Sequence, residues 1–296
     1  MSRYDYHDQG MYVVSVDVEG REPRLGQTVG TEDEARVDLS AAGIVAKRTA
    51  AELKILFPQV SVFMCVVMPE HVHLVLQVQS RLPQGQHVGY IAEVYKARCA
   101  DRMSSAHLFA GGCEVRVVEG EGESLRMQRY LDSNPRRRII MQNRKEYFDM
   151  HRGLDIFGHK VDAVGNLDLL KVPLIPVHCH RSWHEDEANS YAYRCLRAAK
   201  AGCVLIGAFI SDLELTIGLE ASDREYSIVH IMHNGFRDRY KPLGNAFYAC
   251  AEGRLLHIAP WEYKPEGYRL TRERCHELNL LAEDIAWHAN NDSQTA

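Results

Sequence analysis

One octapeptide constrains the fold of this chain more than any other stretch: Pro69-Glu70-His71-Val72-His73-Leu74-Val75-Leu76. Side chains alternate across a strand with a period of two, so His71 and His73 share one face while Val72, Leu74 and Leu76 share the other. The second face suits a core. The first sets two imidazoles side by side on a rigid element. There they can bind a divalent metal, or they can be two surface histidines on an amphipathic strand.

The flanking sequence supplies the rest of a sheet. Met11 to Val18 is a β-rich run that ends before Gly20. The polar stretch Glu22 to Arg36 reads as a loop. Ser40 can cap a helix running to Leu56, with Ile44, Val45, Leu53 and Leu56 as its apolar stripe. Val60 to Val67 is a β-branched strand, joined to His71–Val78 by a tight Met68-Pro69-Glu70 connection. Gln86 to Met103 reads as a helix with Val88, Ile91, Val94 and Tyr95 on one side. Cys113 to Val118 is a short strand, and Ser124 can cap a helix carrying Leu125, Met127, Tyr130 and Leu131. The order β-α-β-β-α-β-α predicts a small α+β domain with an antiparallel sheet.

At 296 residues the chain exceeds one average domain, and 46% apolar with 25% charged residues is enough material for two soluble cores. Residues 1–150 are expected to form the first domain, 151–162 a linker and 163–296 the second. Strands and helices alternate in the second half, which predicts an α/β domain with a parallel, doubly wound sheet. The net charge of −5 carries no global nucleic-acid signature. Charge is local instead: Arg126, Arg129, Arg136, Arg137, Arg138, Arg144 and Lys145 lie within one stretch that contains a single acid, Asp132. Eight scattered cysteines without Cys-x-x-Cys spacing read as free thiols of a reducing cytoplasm. No apolar run approaches membrane-spanning length, so no membrane partner is expected.

Tyr130 and Asn134 are four apart on the expected helix and so share a face. A phenol, an amide oxygen and two imidazoles suit cleavage of single-stranded nucleic acid. The histidines hold a metal that polarises a phosphodiester, and the tyrosine oxygen attacks phosphorus. Arg129, Arg136, Arg137 and Arg138, with Lys96 on the preceding helix, are candidates to neutralise backbone phosphates. Tyr147 and Phe148 can stack a base or pack in a core.

Val66-Val67-Met68-Pro69-Glu70-His71-Val72-His73, followed by Tyr130-Leu131-Asp132-Ser133-Asn134-Pro135-Arg136-Arg137, resembles the HUH single-tyrosine transposases, in particular the REP-associated tyrosine transposase branch. The resemblance covers about residues 10 to 150. It implies a ferredoxin-like HUH fold, with His71, His73 and Asn134 as ligands of Mg²⁺ or Mn²⁺ and Tyr130 as nucleophile. It also implies a 5′-phosphotyrosyl intermediate and single-stranded or hairpin DNA as partner. The tyrosine helix could serve within one chain or across a homodimer. Asn134 has a second role open to it, ending the helix before Pro135. The chain departs from the pattern at Leu108-Phe109-Ala110-Gly111, where a tryptophan-containing segment is expected, and in its additional second domain. Two alternatives therefore stand beside the transesterase: a non-catalytic, domesticated nucleic-acid-binding protein, and a metal-dependent hydrolase that uses bound water.

In the second half, Gly165-Asn166-Leu167-Asp168, Val177-His178-Cys179-His180-Arg181 and Gly207-Ala208-Phe209-Ile210-Ser211 resemble the Rossmann-like domain of DNA-processing protein A. The resemblance implies a ligand edge at the carboxyl ends of the strands, lined by His180, Arg181, Ser211 and Asn234. No Gly-x-Gly-x-x-Gly or Walker pattern is present, so no nucleotide is expected. His178 and His180 read as polar residues at a strand end, and the domain as a module that holds DNA or a protein partner.

Overall fold

Val72, Leu74 and Leu76 are completely buried, and that burial fixes the register of the strand on which the histidines lie. A slip of one residue would drive both imidazoles into the core. The computed structural model describes residues 5–103, 107–179 and 183–292, and the chain divides into two compact units, Met1–Gln142 and Asn143–Ala296.

The first unit runs β1 (Gly10–Asp17), β2 (Gly26–Val29), β3 (Arg36–Leu39), α1 (Ala41–Leu56), β4 (Val60–Met68), β5 (His71–Val78), α2 (Val88–Met103), β6 (Glu114–Val118), α3 (Glu121–Asp132) and α4 (Asn134–Asn143). Its main sheet has the order β4-β5-β1-β6 and is antiparallel throughout, as expected. The stretch read as a loop contains β2, which pairs with β3 in a separate hairpin.

Helices α1 and α2 cover the face that carries Val14, Val16, Val72, Leu74 and Leu76. Ser40 caps α1 as expected, accepting from the Gly43 amide at 3.2 Å. The buried stripe of α1 is Ala42, Ala46, Ala50 and Leu53, with Ile44 on the exposed side. At Gly43 a Cβ would stand 2.0 Å from the Leu25 carbonyl oxygen, so only glycine lets that loop approach.

Helix α3 covers the opposite face. Met127 and Leu131 are buried against Val13, Val75 and Val118, which contributes about 2 kcal/mol per side chain. The helix starts at Glu121, not at Ser124. Ser124 lies within the helix, and its hydroxyl faces the Met11 sulfur at 3.4 Å.

The second unit runs α5 (Lys145–Phe148), β7 (His151–Ile156), β8 (His159–Gly165), β9 (Leu174–Pro176), α6 (Glu185–Lys200), β10 (Val204–Gly207), α7 (Asp212–Asp223), β11 (Ile228–Ile231), α8 (Asn245–Ala251), β12 (Leu255–Ala259) and α9 (Arg272–Asp292). The expected linker 151–162 is instead the β7-β8 hairpin, paired within a six-stranded sheet of order β7-β8-β12-β11-β10-β9. The sheet is mixed. Strands β9 to β12 are parallel, while β8 runs antiparallel to β12.

The parallel strands follow one another in sequence order without reversal. Their connecting helices α6, α7 and α8 pack on one face and α9 on the other. The doubly wound arrangement with a switch point is therefore not what forms. Tyr147 and Phe148 belong to this unit's core. Phe148 stacks on Phe247 at 4.9 Å, and Tyr147 lies against Gly253, where a Cβ would meet its ring at 3.1 Å. Among the described residues, no helix is long and apolar enough to cross a membrane.

Candidate functional site

The sheet face beneath α3 has an apolar end and a polar end. Strand pairing sets Val13 opposite Val75, Ser15 opposite His73 and Asp17 opposite His71. Directly paired residues on antiparallel strands point the same way. Val13 and Val75 thus make the apolar end, and Ser15, Asp17, His71 and His73 the polar end. Ser124 and Met127 sit over the apolar end, and Tyr130 packs against the same Val13–Val75 cluster, on the sheet face that carries the histidines.

The two imidazoles meet edge to face, with ring centroids 4.6 Å apart. His73 Nδ1 is 2.8 Å from Ser15 Oγ. His71 Nδ1 is 3.6 Å from Glu70 Oε1, beyond ordinary hydrogen-bond length, and it is buried with no closer partner. His73 therefore engages a neighbour through Nδ1, the arrangement that presents Nε2 as a ligating nitrogen, and Glu70 is the nearest acceptor to His71 Nδ1. Asp17 is held by Arg21, whose Nε donates to it at 2.9 Å.

Glu70 is 8% exposed and receives a charge-assisted hydrogen bond from Arg138 Nη1 at 2.6 Å. Burial pushes its carboxyl pKa upward, but attraction to His71 and Arg138 outweighs that, and the net shift is downward. The group stays ionised beside the histidines.

The tyrosine segment is not one uninterrupted helix. Helix α3 ends at Asp132 and α4 opens at Asn134. Ser133 Oγ donates to the Tyr130 carbonyl at 2.8 Å, and Pro135 has no amide hydrogen to continue the ladder. Asn134 therefore begins the second helix. Its half-buried carboxamide hydrogen-bonds to none of the described residues, and neither does the Tyr130 hydroxyl. The Arg137 guanidinium lies 4.5 Å from the centre of the Tyr130 ring. Arg138 follows Asn134 by four residues on α4 and so shares its face. Its contact with Glu70 turns that face toward the residue next to His71.

The basic candidates separate clearly. Arg129 and Arg136 are exposed, with Arg136 3.5 Å from Asp33. Arg137 is buried at 4% exposure and Arg138 is committed to Glu70, so both build the site in place of a phosphate surface. Lys96 is likewise turned inward. Its ammonium donates to the Ala110 and Gly112 carbonyls, both at 3.0 Å, and pairs with Glu93 at 2.7 Å.

In the second unit, His180 and Arg181 lie outside the described residues. Ser211 and Asn234 do follow strands β10 and β11, but their side chains serve the backbone. Ser211 Oγ caps α7 by accepting from the Glu214 amide at 3.3 Å. Asn234 donates to the Lys264 carbonyl at 2.8 Å and accepts from the Lys264 amide at 3.0 Å, which ties two loops together. His178 pairs with Glu283 at 2.9 Å.

Four contributors escape a motif-based reading: Ser15, Asp17, Glu70 and the ring contact of Arg137. The first two were signalled by the alternation Val14-Ser15-Val16-Asp17-Val18, and Glu70 by its place beside His71. Nothing in the sequence signals the Arg137 contact. Among the described residues, no group of three or more His, Cys, Asp or Glu side chains is placed to hold a metal. A third ligand would have to be of another type, as the Asn134 amide is.

No family model and no curated protein matches the chain. Three solved structures are similar in part. One is the REP-associated tyrosine transposase bound to a REP hairpin, with a TM-score of 0.35 and 17% identity over 46% of this chain and 73% of that one. Another is DNA processing protein A from Streptococcus pneumoniae, with a TM-score of 0.34 and 17% identity over 56% of this chain and 60% of that one. The third is DNA processing protein A from Helicobacter pylori, with a TM-score of 0.33 and 14% identity over 46% of this chain and 65% of that one. At these scores the likenesses do not assign the chain to a family.

Proposed function

We propose that the first unit cleaves and rejoins single-stranded or hairpin DNA through a tyrosine–phosphate intermediate, with His71, His73 and Asn134 binding Mg²⁺ or Mn²⁺. One observation carries this reading: Tyr130 and the histidine pair lie on the same sheet face, and the segment after Tyr130 is anchored by Arg138 to the residue beside His71. The donor set fits a divalent cation. His73 engages Ser15 through Nδ1, His71 Nδ1 is a buried polar atom awaiting a closer partner, and the Asn134 amide is uncommitted.

The bound metal would withdraw electron density from the scissile phosphate. The chain's own residues do the rest. The Tyr130 oxygen attacks phosphorus as its phenolic proton leaves. The P–O3′ bond breaks, and the departing oxygen takes up a proton as a free 3′-hydroxyl. The tyrosine keeps the 5′-phosphate, and attack by a 3′-hydroxyl reverses the sequence. Arg137 holds the ring in place through its charge, and Arg129 and Arg136 present cations to the backbone. Two of the similar proteins are described as bound to a REP hairpin and as binding single-stranded DNA, which agrees with this substrate class. Among its described residues the second unit assembles no comparable set, so the chemistry is assigned to the first unit alone.

The test is incubation with labelled single-stranded oligonucleotides and Mn²⁺, followed by denaturing electrophoresis. A protein–DNA adduct that disappears in Tyr130→Phe is expected, with His71→Ala and His73→Ala reducing it at least a hundredfold (about 3 kcal/mol). Cleavage without an adduct, retained by Tyr130→Phe, would transfer the assignment to a hydrolase. Binding without cleavage would transfer it to a non-catalytic DNA-binding protein.

A further inference from the structure

We propose that Glu70 and Arg138 are positioning residues that couple the His71 imidazole to the segment bearing Tyr130 and Asn134, so that cation affinity and tyrosine placement change together. This coupling presupposes the metal and nucleophile roles proposed above.

Glu70 sits in the tight connection between β4 and β5, and Arg138 sits on α4. A single carboxylate oxygen, Glu70 Oε1, faces both Arg138 Nη1 at 2.6 Å and His71 Nδ1 at 3.6 Å. A buried carboxylate is costly unless it is paired and hydrogen-bonded, so its partners are functionally informative. Here Arg138 is the close partner and His71 the distant one. The other oxygen, Oε2, and His71 Nδ1 are both buried without a hydrogen bond. Drawing the imidazole and the carboxylate together by less than an ångström would satisfy Nδ1.

The resulting carboxylate–imidazole contact fixes the tautomer with the proton on Nδ1 and makes Nε2 the more basic ligand. Because Arg138 shares the α4 face of Asn134 and immediately follows Arg137, which lies on the Tyr130 ring, the same carboxylate also sets where that segment sits. A salt bridge that served stability alone would bear no relation to the state of His71.

Three measurements on the full chain test the coupling: Mn²⁺ affinity by electron paramagnetic resonance, the side-chain ¹⁵N shifts of His71 without metal, and adduct formation at saturating Mn²⁺. Glu70→Gln keeps the shape and removes the charge. It should weaken Mn²⁺ binding about 10- to 100-fold and move His71 from a single Nδ1–H tautomer to a mixture. Arg138→Met should do the same and also slow adduct formation once Mn²⁺ is saturating. Arg138→Lys should restore most of both, which separates positioning from a loss of folding.

The coupling is overturned if Glu70→Gln leaves Mn²⁺ affinity within about twofold of wild type and the His71 tautomer unchanged. If the wild-type chain neither binds Mn²⁺ nor forms an adduct, the functional reading falls separately. A tautomer change in Glu70→Gln then still supports the Glu70–His71 link, and an unchanged tautomer overturns it.

Discussion

At Lys96 the ammonium lies 3.0 Å from the carbonyls of Ala110 and Gly112, and this tells against a role in binding phosphate. Its charge is spent on loop carbonyls and on Glu93. Lys96→Met should therefore lower unfolding stability by about 1.5–3 kcal/mol and leave DNA affinity unchanged. Arg129→Ala and Arg136→Ala should do the opposite. Each should leave the melting temperature nearly unaltered and reduce the salt dependence of oligonucleotide binding by about 0.7–1 in slope. Fluorescence anisotropy across a salt series, set beside thermal denaturation, reads both. Lys96→Met weakening DNA binding as strongly as Arg129→Ala would contradict this assignment. The sequence shows that a basic cluster follows Tyr130. It cannot show which members turn inward, because an arginine that stacks on a ring or pairs with a distant glutamate has the same local pattern as one in solvent.

Among the elements, α7 is secured by one side chain. The buried Glu214 carboxylate accepts from the amides of Cys179 at 2.7 Å, Ile210 at 2.9 Å and Ser211 at 3.0 Å. It thereby joins the loop after β9 to the loop after β10. Glu214→Ala leaves three donors without that acceptor and should cost about 3 kcal/mol, with Glu214→Gln costing less because one oxygen remains. Chemical denaturation followed by far-ultraviolet circular dichroism measures both, and equal stability of Glu214→Ala and wild type would refute the tie. This element was legible, since Ser211-Asp212-Leu213-Glu214 has the spacing of a capping box. The ligand role given to Ser211 ignored that local use. Strand β5 was also legible, because an alternating run with three buried aliphatics has one register. The inward face of α1 was less so. Its buried side is mostly alanine, which a search for large apolar residues at helical spacing passes over, and Thr49 on that side receives a hydrogen bond from Arg102 at 3.2 Å. The β7-β8 hairpin was missed because its inward-facing residues, Leu154, Ile156, Val161 and Ala163, are few and are set among charged residues and glycines.

At the scale of the whole molecule, the two units should respond differently to acid, and the second carries the clearest cause. His230 and His257 pair across β11 and β12, with ring centroids 5.3 Å apart. Around them lie the Tyr240 hydroxyl, 2.7 Å from His257 Nδ1, the Phe209 ring against His230, and His233, whose charge opposes protonation of His230. Desolvation comes first among the causes, and it lowers His257 to about 3 and His230 to about 4 from the usual value near 6.5. In the folded unit both rings therefore stay neutral at a pH where the unfolded chain binds protons. The stability that depends on their neutrality is complete above about pH 6.5 and is lost as the pH falls toward 4. The loss is at most about 1.4 kcal/mol per pH unit for each ring. In the first unit, burial raises the Glu70 carboxyl but His71 and Arg138 hold it below its ordinary value, so the stability tied to it starts to be lost only as the pH falls through the ordinary carboxylate value near 4.5. Thermal unfolding between pH 7 and about pH 5 should thus weaken the second unit first. His257→Gln, which keeps a polar partner for Tyr240 without a titrating ring, should flatten the slope by about half even if it lowers stability at neutral pH. A wild-type melting profile flat over that interval, or a slope unchanged in His257→Gln, would show that these rings are not what acid attacks.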